Sequence, residues 1–172
     1  MDTMKTMDPP VRIGHGYDVH ALREGLPMWL GGIRIESDKG FVAHSDGDVA
    51  IHALCDALLG ALALGDIGAH FPDTDDRWKG IDSKKLLAAV MEKVRGAGYE
   101  LGNADITIAL QAPKLRGHID EMRRTLAGVM GADPGRVSVK ASTTERLGFV
   151  GRGEGCEVWA SVLLLKSKPT TE

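Results

Sequence analysis

Within GHGYDVHALREG, residues 14–25, Asp18 and His20 stand either side of one valine. In an extended strand, residues two apart point to the same face, about 6.5–7 Å apart along the chain, so a carboxylate and an imidazole would converge. A second imidazole, His52, follows in AHSDGDVAIHALCDALLG. Two histidines and one carboxylate form a known catalytic zinc set, with three protein ligands and an open fourth position. The same residues also admit a plainer reading, with His20 closing a strand at the surface and His52 hydrogen-bonded within a helix. Spacing alone leaves both open. The neighbourhood favours the site. Asp48, His52 and Asp56 recur at i, i+4 and i+8, a polar stripe without the Lys, Glu or Arg that usually coat a solvent face. Asp48 or Asp56 would then hold the second nitrogen of His52.

A second group lies in SVKASTTERLG, where Ser142, Thr143 and Thr144 precede Glu145. Hydroxyls beside a carboxylate suit phosphate-bound Mg²⁺, an ion that prefers oxygen ligands; a strand end running into a cap would use the same residues. GFVGRGEG could shape an anion nest around Arg152 or form a simple hairpin turn. FPDTDD, residues 71–76, reads as a solvated acidic turn. His15, between two glycines, points to close packing rather than ligation.

Positioning these groups requires strands and helices in alternation. VRIGHGYDVHA and PMWLGGIRI read as strands, the latter broken at Gly31-Gly32. From Asp46 to about Leu64 the period turns helical, with Ile51, Leu54, Leu58 and Leu62 on one stripe and Ser45 or Asp46 as cap. A turn-rich connection leads to a helix capped by Asp82 or Ser83 and running to about Arg95. ELGNADITIALQ is a strand broken by APKLRG; a helix covers 119–130 and stops at GADPG; VSVKAST and CEVWASVLLLK are strands. The expectation is a single α+β domain over 12–166, a mixed sheet of four-stranded type with helices on one face, between a loose lead (1–11) and tail (167–172). The VLLL run in the last strand implies burial on both faces, hence a partner surface.

Bulk properties agree with this reading. The 172 residues are 43% hydrophobic and 26% charged, enough for one real core. A formal charge of −3 gives no electrostatic case for nucleic acid or an anionic membrane surface. No apolar run reaches membrane-spanning length. Cys55 and Cys156 stand about a hundred residues apart, which argues against a disulfide scaffold and for a reducing, cytoplasmic setting.

Taken in order, RIGHGYDVH, AHSDGDVAIHALCDALLGALALGDIG, FPDTD, GYELGNADITIALQAPK and VKASTTERLGFVGRGEG resemble the 2-C-methyl-D-erythritol 2,4-cyclodiphosphate synthase family of the non-mevalonate isoprenoid pathway. The resemblance spans about residues 12–166. Ser142 stands where the family usually has threonine, and Leu110 where alanine is common.

The resemblance implies a cyclase that converts 4-diphosphocytidyl-2-C-methyl-D-erythritol 2-phosphate to the cyclodiphosphate plus CMP. It implies Zn²⁺ on Asp18, His20 and His52, and a second ion, Mg²⁺ or Mn²⁺, on Glu145. His44 and Thr143 match transition-state-stabilising positions. Ser45, Asp66, Ile67, Gly68, Phe71, Pro72, Asp73, Thr74 and Asp75 match the methylerythritol-phosphate end of the substrate. Leu110, Gln111, Ala112, Pro113, Lys114, Leu115, Arg116, Ser142, Thr143, Thr144 and Glu145 match the cytidine diphosphate end. Phe149 and Arg152 match further substrate positions. The family's homotrimer places each site between subunits, with sheets packed together. A zinc-dependent phosphohydrolase and a non-catalytic nucleotide-binding trimer are the rival classes.

Overall fold

Alternation along the first strand, β1 (Val11–Glu24), sends Gly14, Gly16, Asp18 and His20 to one face and Ile13, His15, Tyr17 and Val19 to the other. The structure, a computed structural model, describes residues 8–72 and 74–168. Asp73 and most of the expected lead and tail lie outside the described residues. After β1 come β2 (Met28–Leu30), β3 (Ile33–Ile35), β4 (Lys39–Phe41), β5 (Tyr99–Ala109), β6 (Val137–Ser142) and β7 (Gly155–Lys166). The main sheet runs β4-β1-β7-β5-β6, and only the β5–β6 pairing is parallel.

The α+β class and the mixed sheet match expectation; the main sheet, however, has five strands rather than four. The addition is β4, which pairs with Leu22 to Glu24 at the extended end of β1. Three residues centred on a glycine carry no apolar period, so the sequence pattern holds no sign of it. β2 and β3 form a separate hairpin, turned at Gly31 and Gly32, whose φ values of 63° and 81° suit glycine.

Helix α1 (Val49–Ala61) begins later than Asp46, because Asp48 rather than Ser45 or Asp46 accepts the Ile51 amide, at 3.0 Å. The same buried carboxylate accepts the Gly31 and Gly32 amides at 2.9 and 2.6 Å, which ties the hairpin to the helix start. Short α2 (Ile67–His70) follows, then α3 (Ser83–Gly96), capped by Asp82, and α4 (Ile119–Met130), ended by Gly131 in the left-handed region. One turn, α5 (Gly148–Gly151), precedes β7.

α1 is buried on nearly every side, between β1, β7 and α3. Its seat on β1 is unusually close. A Cβ on Gly14 would fall 1.8 Å from the Ala57 carbonyl oxygen, and one on Gly16 would fall 1.9 Å from that of Ala53. The glycines flanking His15 therefore serve packing, as expected.

On the helix side, Val158, Ala160, Val162 and Leu164 of β7 are fully buried. On the other side Trp159, Leu163 and Leu165 are only half-buried, beside the exposed Val11, Ile13 (78% exposed), Tyr17 and Val19. Burial of both faces of the last strand thus fails within one chain. Helices α1, α3 and α4 all pack on the same side, and among the described residues nothing covers the other.

Replacing Gly16 with alanine is expected to force α1 away from β1. The cost should be about 3 kcal/mol, at the upper end for overpacking because the obstructing atoms are backbone. Urea unfolding would read it as a lowered midpoint; an unchanged midpoint would mean that the helix seat is not this tight.

Candidate metal centre and nucleotide loops

Asp18 and His20 leave β1 side by side, and α1 lays His52 across them. The Asp18 Oδ2 atom lies 3.0 Å from His20 Nε2 and 3.2 Å from His52 Nδ1, and one ligand atom from each residue falls within 4.8 Å of the others. The strand spacing and the helix stripe therefore do meet in one place.

His20 Nδ1 lies 3.0 Å from the Gly47 carbonyl, which can only accept. Its proton sits on that nitrogen, and a neutral His20 would turn a lone pair on Nε2 toward the Asp18 carboxylate. The contact calls for one positive charge, either a proton on the imidazole or a metal ion between the groups. Burial works against charge on Asp18 and His20. Hydrogen bonds and charge across the cluster outweigh it, pulling Asp18 down to about 2 and His20 upward.

The carboxylates expected behind His52 do other work. Asp48 caps α1, and Asp56 accepts the Ile67 amide at 2.8 Å, which fastens α2 beside the cluster. His52 Nε2 instead lies 3.0 Å from Ser83 Oγ and 3.2 Å from Ser45 Oγ. The sequence marked Ser83 and Asp46 only as helix caps; 31 residues separate Ser83 from His52, and no local pattern links them.

Around the triad lies a cavity of about 470 Å³. Its lining includes His44, Ser45, Ile67, Gly68, Phe71, Pro72 and Thr74, with Trp78, Ile81 and Leu86 as apolar wall that the sequence pattern did not single out. Phe71 and Trp78 meet edge to face at 5.1 Å. Asp66 and Asp75 stay at its margin, occupied by the Ala69 amide and by Arg77 respectively.

A separate cavity of about 510 Å³ gathers Leu110, Gln111, Pro113, Lys114, Leu115, Arg116, Ser142 and Thr143. Leu110 and Leu115 point into the core, so they offer backbone rather than side chain. The Leu110 amide donates to the Ser142 carbonyl, and Gln111 Oε1 accepts the Arg146 amide, binding the two loops together. Thr143 Oγ1 donates to Glu145 Oε1 at 3.2 Å. Glu145 and Arg146 hold φ values of 53° and 64°, strained for residues with side chains, and such strain concentrates at functional loops. Thr144 Oγ1 is taken up by the Leu147 carbonyl. Ala112 and Arg152 border a different cleft, where Arg152 pairs with Glu154, while Phe149 packs at Gly155; none of the three lines either cavity.

The two cavities share no lining residue, and His44 and Thr143 fall in different ones. In the sheet, Asp18 faces Val158, Val158 faces Ile108, and Ile108 faces Ala141. Three strand spacings, about 14 Å, separate the two loci.

A profile of the YgbB family matches residues 11–165. The chain belongs to the YgbB family. The 2-C-methyl-D-erythritol 2,4-cyclodiphosphate synthase of Porphyromonas gingivalis is 59% identical over 159 residues, 92% of this chain and 98% of that protein. Among solved structures, the bifunctional IspDF of Campylobacter jejuni superposes with a TM-score of 0.87 at 46% identity, covering 91% of this chain and 42% of that one. A Plasmodium falciparum IspF–CDP complex gives 0.82 at 32% identity over 92% of this chain and 97% of its own.

For this YgbB-family chain, replacing Asp18, His20 and His52 together with alanine is expected to remove stoichiometric divalent metal. Elemental analysis after dialysis reads it, with circular dichroism showing that α1 persists on its apolar surface. Full metal content in the variant would move the centre elsewhere.

Proposed function

We propose that the chain converts 4-diphosphocytidyl-2-C-methyl-D-erythritol 2-phosphate to 2-C-methyl-D-erythritol 2,4-cyclodiphosphate and CMP. The substrate's 2-phosphate attacks its own β-phosphate, and the bond to CMP breaks. The convergence of Asp18, His20 and His52 at one point carries the reading, because two anionic groups must meet there. A single pair of unit charges at 4 Å opposes approach by about 4 kcal/mol at an effective dielectric of 20. Zn²⁺ held by the triad, with Mg²⁺ or Mn²⁺ at Glu145, would supply Lewis-acid polarisation of the β-phosphate and charge relief for the departing CMP.

The rest falls to the chain. The nucleophile is part of the substrate, so the protein's main task is orientation, which contributes several kcal/mol. Ser45, Asp66, Ile67, Gly68 and residues 71–75 hold the methylerythritol-phosphate end. Phe71, Trp78, Ile81 and Leu86 keep water from the reacting phosphate, where it would turn cyclisation into hydrolysis. Backbone of residues 110–116 reads the cytosine edge, and Gln111 holds that loop to residues 143–146. His44 and Thr143 approach the reacting phosphates from the two sides, and Phe149 and Arg152 complete the contact with substrate.

The two halves do not meet within one chain, and this supports a homotrimer with each site between subunits. The uncovered apolar face of β1 and β7 supports the same assembly, sheet against sheet. A ring of this kind joins two different surfaces at every junction. Both cysteines are free and buried, in keeping with a cytoplasmic setting. Among the described residues no helix is long and apolar enough to cross a membrane.

With zinc and Mg²⁺ present, mass analysis of products from the cytidylyl substrate is expected to show CMP and the cyclic diphosphate. A ring-opened phosphate product would make the chain a phosphohydrolase; binding without turnover would make it a nucleotide-binding trimer.

Mixing tests the shared site. A His52→Ala chain and a chain with residues 111–114 replaced by glycine should each be inactive. Any mixed trimer unites an intact metal half with an intact cytidine half at one of its three junctions. Activity should return to about a third of the wild-type value per mixed trimer. Differentially tagged mixed trimers without activity would show that each subunit holds a whole site.

A further inference from the structure

His52 is gripped from both sides. Its Nδ1 lies 3.2 Å from Asp18 Oδ2, and its Nε2 lies 3.0 Å from Ser83 Oγ. A neutral imidazole carries one proton, so only one of these nitrogens donates. A proton on Nδ1 would bond the Asp18 carboxylate and block the nitrogen that faces the metal position. The metal-free ring therefore stands in a competition between Asp18 on one side and Ser83 on the other.

Of the two partners, Ser83 is the one whose polarity the structure fixes. Its hydroxyl donates to Asp46 Oδ1 at 2.5 Å, while its amide donates to Asp46 Oδ2 at 2.8 Å. With its proton spent on a carboxylate, Ser83 Oγ can only accept from His52. Ser83 is 0% exposed, so no solvent competes for that lone pair. Ser45 Oγ, 3.2 Å from the same nitrogen, accepts the Gly47 amide and keeps its own hydroxyl hydrogen, so it accepts from Nε2–H or donates to a bare Nε2 and follows whichever tautomer the shorter Ser83 contact sets.

We infer that Asp46 and Ser83 are positioning residues of the metal centre: the chain Asp46–Ser83–His52 holds the ring proton on Nε2 and keeps the Nδ1 lone pair aimed at the ion. The inference rests on the metal reading above and extends it to the start of α3, which thereby controls a ligand carried on α1. Partners of this kind commonly change metal affinity by about 10–100-fold.

The test uses metal-free protein with ¹⁵N-labelled histidine at about pH 9, where neutral rings prevail. Long-range ¹H–¹⁵N spectra are expected to show Nε2–H for His52 in the wild type. In Ser83→Ala the proton should pass to Nδ1, against Asp18. Zinc affinity, read by chelator competition, should fall about 10-fold or more. Asp46→Asn keeps the serine but lets its hydroxyl turn toward Nε2, and should shift the tautomer the same way. A purely structural role for the two residues would lower stability and leave the tautomer where it was. Nδ1–H in the wild type overturns the inference. So does a folded variant whose tautomer or zinc affinity matches the wild type. If Ser83→Ala does not fold, Asp46→Asn carries the test, and if neither folds the wild-type tautomer decides it. A wild-type protein that takes up no zinc would instead sink the metal reading and leave the tautomer result standing, so the two failures are distinct.

Discussion

Everything at the Asp18–His20–His52 triad depends on how closely α1 can approach β1. Without side chains at Gly14 and Gly16, the helix carbonyls of Ala53 and Ala57 lie where Cβ atoms would otherwise stand. That depth lets a histidine, rather than a longer side chain, reach across to Asp18 and His20. The alternation of β1 then places the glycines and the two ligands on the same face, so one strand both seats the helix and faces it with ligands. Asp48 fixes the helix start, and with it the rotation at which His52 emerges.

A second constraint is charge. The cluster brings one carboxylate oxygen against two imidazole nitrogens, and each ring has a separate acceptor for its proton: the Gly47 carbonyl for His20, Ser83 for His52. A site so arranged favours a cation over empty space. The same reasoning runs through the chemistry proposed for it, in which phosphates that repel one another must be brought within bonding distance. The triad and the cavity at residues 110–116 lie apart, and an apolar sheet face is left open, so under the proposed function assembly and catalysis become a single problem.

Much was legible in the sequence because it is local. The i, i+2 pair of Asp18 and His20, the apolar stripe of α1, the hairpin glycines and the caps at Asp82 and Gly131 follow from periodicities that each element carries in its own residues. The triad needed only the further step that a helix following a strand packs on it. What the sequence left open is long-range. The edge strand β4 is too short to have a period and exists because the extended end of β1 offers it a partner. Asp48 and Asp56 looked like partners of His52 because they share its stripe, yet backbone amides from the hairpin and from α2 claim them. The partner of His52 came from the first residue of another helix, and only the packing of α3 on α1 brings it there. In the same way, no run of residues says that the cavity at residues 110–116 and 142–143 stands about 14 Å from the Asp18–His20–His52 triad within one chain, since that distance is set by the order of strands between them. Residue type and local period determined which groups this protein can bring to a reaction; strand order and helix packing alone decided which of them meet, because hydrogen-bond partners are chosen in space.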